Sequence, residues 1–296
     1  MRSFKIDPNS LVKEAALHTL LLLIKTYHSQ EIKEIIGPQK IIETLLDEIK
    51  LRRPSATVKG VIWHLIGTLH EHYGLEDFRI ESQDQMFLNL REQAKSEKPE
   101  LKAMQGLFLG LSASLKDECT LGKDQVDDLY TLVTACLITI EGISTHGVMK
   151  CAMKLVTKNV KVFETQVTAR ALDLVNLCLK LSIHENMEVR EAASDMTTAV
   201  MKAISENLQS DEAIHNQNFQ KIMDKLTEML DEPNQQNILL VQTIKAVGIF
   251  SEAIVKFMGA RKLEELLGKL IDLSEQKLIK VFEEVENPNK NFQNFK

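Results

Sequence analysis

Apolar residues recur along this chain at helical spacing and not in alternation. In the segment 186–200, Val189, Ala192, Ala193, Met196 and Val200 fall on one helical face, while Arg190 and Glu191 point away from it. The same phrase, an aliphatic anchor followed closely by a basic residue at the start of a helical pattern, appears at Val12-Lys13, Val58-Lys59, Leu101-Lys102, Val148 with Lys150, and Val189-Arg190. A sixth copy at Leu239 has lost its basic residue. The anchors are 46, 43, 47, 41 and 50 residues apart, and a short polar break precedes each. Breakers and caps predict twelve helices, at about 9–28, 38–50, 55–73, 82–95, 99–116, 123–141, 145–157, 163–183, 187–208, 216–231, 235–257 and 260–285. The second opens on Gly37-Pro38, with proline in the first turn, and the fourth is expected to open on Ser82 with Gln85 in capping-box spacing.

All but the last of these intervals fall within the period of HEAT or armadillo units. The predicted fold is therefore all-α, an α-solenoid of about six HEAT/armadillo-like helix pairs over residues 1–286. No single pair can bury its apolar face alone, so stability has to come from stacking neighbour on neighbour. The first helix carries Leu11, Leu17 and the run Leu20 to Ile24 over more than one face, which predicts a further repeat ahead of it and makes the chain read as a slice of a longer solenoid. Residues 287–296 show no helical period and are expected to form a disordered tail.

Composition agrees with helices. There are 12 glycines and 6 prolines in 296 residues, about half the usual share, so the material of β-turns is scarce. The 36 basic and 42 acidic residues give a net charge of −6, which excludes a cationic coat over the whole surface but leaves room for a local basic stripe. Cys119, Cys136, Cys151 and Cys178 show no C-x-x-C spacing and read as reduced, mostly buried thiols. The N-terminus lacks the apolar stretch of a signal peptide, and the longest aliphatic run is too short to cross a membrane.

Two stretches match the usual HEAT wording of an acidic or amide residue, then Val with a basic residue, then Ala-Ala: residues 186–193 and 9–16. Four segments, in order, are more specific: ALHTLLLLIKTYHS from Ala16, ELKAMQGLFLGLSASL from Glu100, ENMEVREAASDMTTAVMKA from Glu185 and KAVGIFSEAIVKF from Lys245. With compatible spacing over about residues 11–280, the chain resembles the N-terminal helical arm of the DNA-dependent protein kinase catalytic subunits, in the PI3-kinase-related kinase family. The resemblance implies a non-catalytic, nuclear scaffold that helps cradle double-stranded DNA ends and the Ku heterodimer in double-strand-break repair by non-homologous end joining. It implies no cofactor, no membrane and no small-molecule substrate. The phosphate loop, catalytic Asp and metal-binding Asp of a kinase are all missing from the sequence, as is a Walker A loop.

The best local candidate for phosphate contact is the row Lys150, Lys154, Lys158 and Lys161, spaced by four, four and three residues along one helical stripe. Each lysine would neutralise a phosphate without reading sequence, although the row runs off its helix near Asn159 and solvated charge rows are common. Lys50, Arg52 and Arg53, before Pro54, are a second cluster that could meet phosphate or serve a transport receptor, and are expected first to complement a helix C-terminus. His70-Glu71 and His184-Glu185 are the His-Glu pairs of a di-iron hydroxylase in composition only, because they fall at different phases of their repeats. Gly106 and Gly110 are expected to permit close helix packing, while Trp63 and the methionines from Met149 to Met229 belong to helix interfaces. The rival readings are an unrelated HEAT adaptor of the transport or phosphatase type and, further off, the metal-dependent hydroxylase.

Overall fold

The computed structural model describes residues 8–27, 33–35, 37–115, 119–138, 145–208, 213–231 and 237–286. Among them are fourteen helices and no strand: α1 (Pro8–Thr26), α2 (Pro38–Arg52), α3 (Ala56–Tyr73), α4 (Glu76–Lys95), α5 (Leu101–Ser114), α6 (Lys123–Ile138), α7 (His146–Lys158), α8 (Glu164–Ala169), α9 (Ala171–Ser182), α10 (Met187–Asn207), α11 (Ala213–Asp231), α12 (Asn237–Ile249), α13 (Ser251–Met258) and α14 (Ala260–Glu286). The expected tail, 287–296, lies outside the described residues.

The six anchors fall on α1, α3, α5, α7, α10 and α12. These pack one on the next as a single layer, and the remaining helices form a second layer behind them. Consecutive anchor helices come closer together than consecutive helices of the second layer, most of all α3 and α5. A stack that is tighter on one side bends toward that side, so the anchor layer is the inner face of the solenoid.

Glycine makes the tightest step possible. A methyl group on Gly106 would collide with the backbone of Gly60, one on Gly67 with the backbone of Gly110, and one on Gly110 with the carbonyl of Trp63. Two helix backbones therefore touch directly along α3 and α5, where larger side chains would hold them at the usual 8–10 Å. A core that includes Trp63, Phe87, Phe108, Phe163, Phe219 and Phe250, all at most 2% exposed, runs through the stack without interruption.

The anchor pattern has a polar counterpart. Lys59 pairs with Glu100 at 2.8 Å and Lys150 with Glu188 at 2.9 Å, and both acids stand immediately before the next anchor. These rungs tie the second repeat to the third and the fourth to the fifth. Lys13 instead pairs within its own repeat, with Glu48 at 2.7 Å.

Three helix limits differ from expectation. α4 opens at Glu76 and not at Ser82: Gly74, at φ 58, closes α3 in a left-handed cap, and Glu76 and Asp77 supply the acidic first turn that begins the next helix at once. Ser82 is fully buried in mid-helix and caps nothing. The helix expected over 163–183 is broken at Arg170 into α8 and α9. The one expected over 235–257 is broken at Phe250, where α12 and α13 meet at 65°. Neither break contains glycine or proline. At Phe250 the chain turns where the ring is fully buried, packed edge-on against Phe219 at 5.5 Å, so tertiary packing overrides local preference.

Candidate nucleic-acid interface

Val148, Met149, Ala152, Met153, Leu155 and Val156 bury the core side of α7, which leaves Lys150, Lys154 and Lys158 on its open side. The helix ends at Lys158, and Asn159 fixes that end by donating its side-chain amide to the carbonyls of Leu155 and Ser112, both at 3.0 Å. Lys161 lies beyond the helix, in a turn, and lines a cleft of about 500 Å³ with Glu164, Lys202 and Glu206. Three of the four lysines thus share a helix and the fourth does not. Lys150 is one of the inter-repeat rungs, and its hydrogen bond to Glu188 holds that carboxyl below the usual carboxylate range.

Lys154 and Lys158 belong to a group that their own helix does not reveal. Lys158 reaches Glu71 of α3, with Nζ 3.6 Å from the carboxylate, and so meets it across α5, the helix that stands between them. Beside this contact, Ser112 of α5 donates its hydroxyl to the Lys154 carbonyl at 3.4 Å. From α1, Lys25 places its Nζ 3.1 Å from His64 Nε2. Burial first, then the charges of Lys158 and Lys154, lower the Lys25 pKa, with Glu71 acting in the opposite sense. Burial, followed by Lys25, Lys158, His18 and Lys154, pushes His64 down to about 3, so its ring is neutral and accepts from the Lys25 ammonium. Lys25, His64, Glu71, Lys154 and Lys158, drawn from three helices, form one cation-rich group on the inner face. The sequence singled out two of its lysines; Lys25 and Glu71 occupy one repeat position, 13 residues after the anchors Val12 and Val58, but that register does not mark them as partners of Lys158.

The other candidates take structural places. Lys50 lies 3.5 Å from Glu81 and Arg52 3.4 Å from Glu48, and Arg53 caps α2 at φ 44. His70 is buried in α3, with no well-formed hydrogen bond to either ring nitrogen, and burial followed by Arg79 lowers its pKa to about 4. His184 packs edge-on against His146 at 5.0 Å. Among the described residues no three His, Cys, Asp or Glu side chains converge as a metal-ligand set. Cys136, Cys151 and Cys178 are buried, and burial raises their thiols to about 11, 11 and 12, far from a reactive thiolate. Of the interface methionines, Met187 alone is exposed on its helix end.

No single described helix is long and apolar enough to cross a membrane. The bent pair α12 and α13 reaches that composition together, but Leu240, Ala246, Val247 and Ile254 spend it on the core.

A family model described as "DNA-PKcs, N-terminal" matches residues 3–293. The chain is 20% identical over 294 residues to the DNA-dependent protein kinase catalytic subunit of Canis lupus familiaris, covering 95% of this chain and 7% of that protein. Against the mouse protein of the same name it is 21% identical over 284 residues, covering 91% of this chain and 7% of the relative. The chain therefore spans under a tenth of the length of these relatives. Six stacked helix pairs of HEAT type, no kinase motif, and a family match over nearly every residue lead to one assignment: the chain belongs to the N-terminal family of DNA-PKcs proteins.

Proposed function

We propose that this chain is a non-catalytic scaffold segment that helps hold double-stranded DNA ends and the Ku heterodimer during double-strand-break repair by non-homologous end joining, in the nucleus. The observation that carries the reading is the family match over residues 3–293, joined on the inner face by a concentration of lysine that the net charge of −6 would not lead one to expect. Phosphoryl transfer belongs to other segments of a longer protein of this kind. Lys150, Lys154, Lys158 and Lys161 are the candidate phosphate contacts. A row of this kind gives affinity without sequence preference, because each phosphate neutralised releases condensed counterions.

The test is binding of the chain to a blunt DNA duplex across a salt series, with capture of purified Ku measured in parallel. Affinity that falls steeply with salt, and falls less steeply after all four lysines are changed to Ala, supports the DNA reading. Ku capture without DNA affinity moves the role to the protein partner. Binding to neither at low salt overturns the proposal and favours an adaptor of the transport or phosphatase type.

A further inference from the structure

α14 carries two apolar rows and buries one. Leu263, Leu266, Leu270 and Leu273 turn toward the array, where the helix packs on α11, α12 and α13. About a quarter turn round the helix, Leu267, Ile271, Ser274 and Leu278 form a second row spaced by four, three and four residues, and the sequence carries this spacing on to Val281 and Val285. The second row is open. Leu267 is 45% exposed, Ile271 58% and Leu278 57%, and beyond Leu270 no described side chain of α14 is buried. Its one polar member makes no demand on a partner, because the Ser274 hydroxyl donates to the Leu270 carbonyl at 2.7 Å. The ion pairs of Lys262 with Glu265 at 3.0 Å and of Lys269 with Asp231 at 2.8 Å start from the far side of the helix, so covering the row breaks neither.

We propose that α14 pairs with α14 of a second copy of the chain, through Leu267, Ile271, Ser274 and Leu278, as a two-helix coiled coil. An alternation of four and three residues is the roughly 3.5-residue repeat of such a seam, in which each side chain enters a hole formed by four residues of the facing helix. An identical row supplies the holes that this one needs. The row contains no charge, so two copies bring no like charges together along it, and nothing in it selects an unlike sequence. A two-fold axis then makes the contact the same patch on both copies. Because the open row lies beside the buried one, each copy keeps its packing on α11, α12 and α13 in the dimer. This inference goes beyond the DNA reading and does not depend on it.

The experiment is sedimentation equilibrium of the whole chain from about 1 to 100 μM, beside Leu278→Glu on α14 and Leu22→Glu on α1, where Leu22 is also exposed. Circular dichroism confirms that each variant keeps its helicity. Wild type is expected to approach twice the 33.6 kDa mass of the chain as concentration rises. It should do so at about 0.15 M and about 0.5 M salt alike, because an apolar seam is not screened. Leu278→Glu is expected to stay at the mass of one chain and Leu22→Glu to behave as wild type. Ser274→Leu completes the row and is expected to tighten the dimer about ten-fold. A wild type that stays monomeric overturns the proposal, and so does a mass that climbs past two chains. A dimer that survives Leu278→Glu, or that Leu22→Glu alone abolishes, moves the contact to another face and overturns it as well. A Ser274→Leu dimer no tighter than wild type overturns the coiled-coil geometry. Each of these results leaves the DNA reading standing.

Discussion

Gly106 and Gly268 both stand in the middle of a helix, yet they do opposite things. In α5, Gly106 lies against the backbone of α3, where a single methyl group has no place to go; in α14, nothing lies within 4 Å of the position a methyl group would take on Gly268. The same contrast separates the two halves of the array. Gly60, Gly67, Gly106 and Gly110 close the first half backbone to backbone, whereas Gly248 and Gly268 in the second half are free of such contact, and α10 meets α12 less closely than α3 meets α5. The lesson concerns what a helix glycine is for. In the first half it sets the distance between repeats. In the second it only weakens its own helix.

The comparison is broken most directly at its strongest point. Gly106→Ala is expected to lower stability by about 3 kcal/mol, because the neighbour that must yield is backbone and cannot rotate away. Urea unfolding followed by circular dichroism reads this, and a loss below about 1 kcal/mol would show that the two backbones separate easily. Acid should strike the same half next. His70 has a folded pKa of about 4 against an ordinary value of 6.5, so the unfolded chain binds the extra proton between these limits. The native state has its full advantage above pH 6.5 and loses on the order of 2–3 kcal/mol as pH falls to about 4. Urea midpoints at pH 7 and 5 should differ accordingly, and His70→Leu should reduce the difference by about half, because His64, pushed down to about 3, loses stability over the same window. In the second half the sign reverses: Gly268→Ala, on an exposed face of α14, is expected to raise stability by roughly 0.5–1 kcal/mol, measured as an increase in melting temperature. The smallest effect belongs to the rungs. A double-mutant cycle on Lys59 and Glu100, a pair that solvent reaches, should give a coupling of about 0.5 kcal/mol that fades with added salt.

Much of this architecture can be read from the sequence because period and burial are the same fact seen twice. The anchors Val58, Val148 and Val189 are at most 1% exposed, and the face predicted from Val189 to Val200 is buried residue by residue. Leu101 and Leu239 are half-buried, and Val12 is 69% exposed, in keeping with a first helix that has aliphatic residues on more than one face. The glycine contact was legible at Gly106 and Gly110, though not its partners Gly60 and Gly67, since nothing local says which helix lies opposite. The candidate site was legible in part. Lys150, Lys154 and Lys158 could be placed on one stripe by their spacing, but spacing says nothing of who neutralises them. In hindsight one clue was present. Lys150 follows Val148 as Lys59 follows Val58, and an acid precedes the next anchor in both cases, so Lys150 carries the mark of a rung. Lys25 and Glu71 share a repeat position, 13 residues after Val12 and Val58, but that position does not say that Lys158 reaches Glu71 from two repeats away. The breaks at Arg170 and Phe250 were invisible for a similar reason: they answer to packing and contain no residue that breaks helices.

The glycine-lined joint has a mechanical side. A stack of helix pairs under load stretches where its layers can part, and layers in backbone contact have no slack to give. Tension along this array should leave the joint between α3 and α5 nearly unchanged in length and open first toward α12, where no glycine contact closes the helices. One end of the array is thus a fixed jaw and the other a compliant one, so anything gripped on the inner face is held against a rigid side while the opposite side follows its shape.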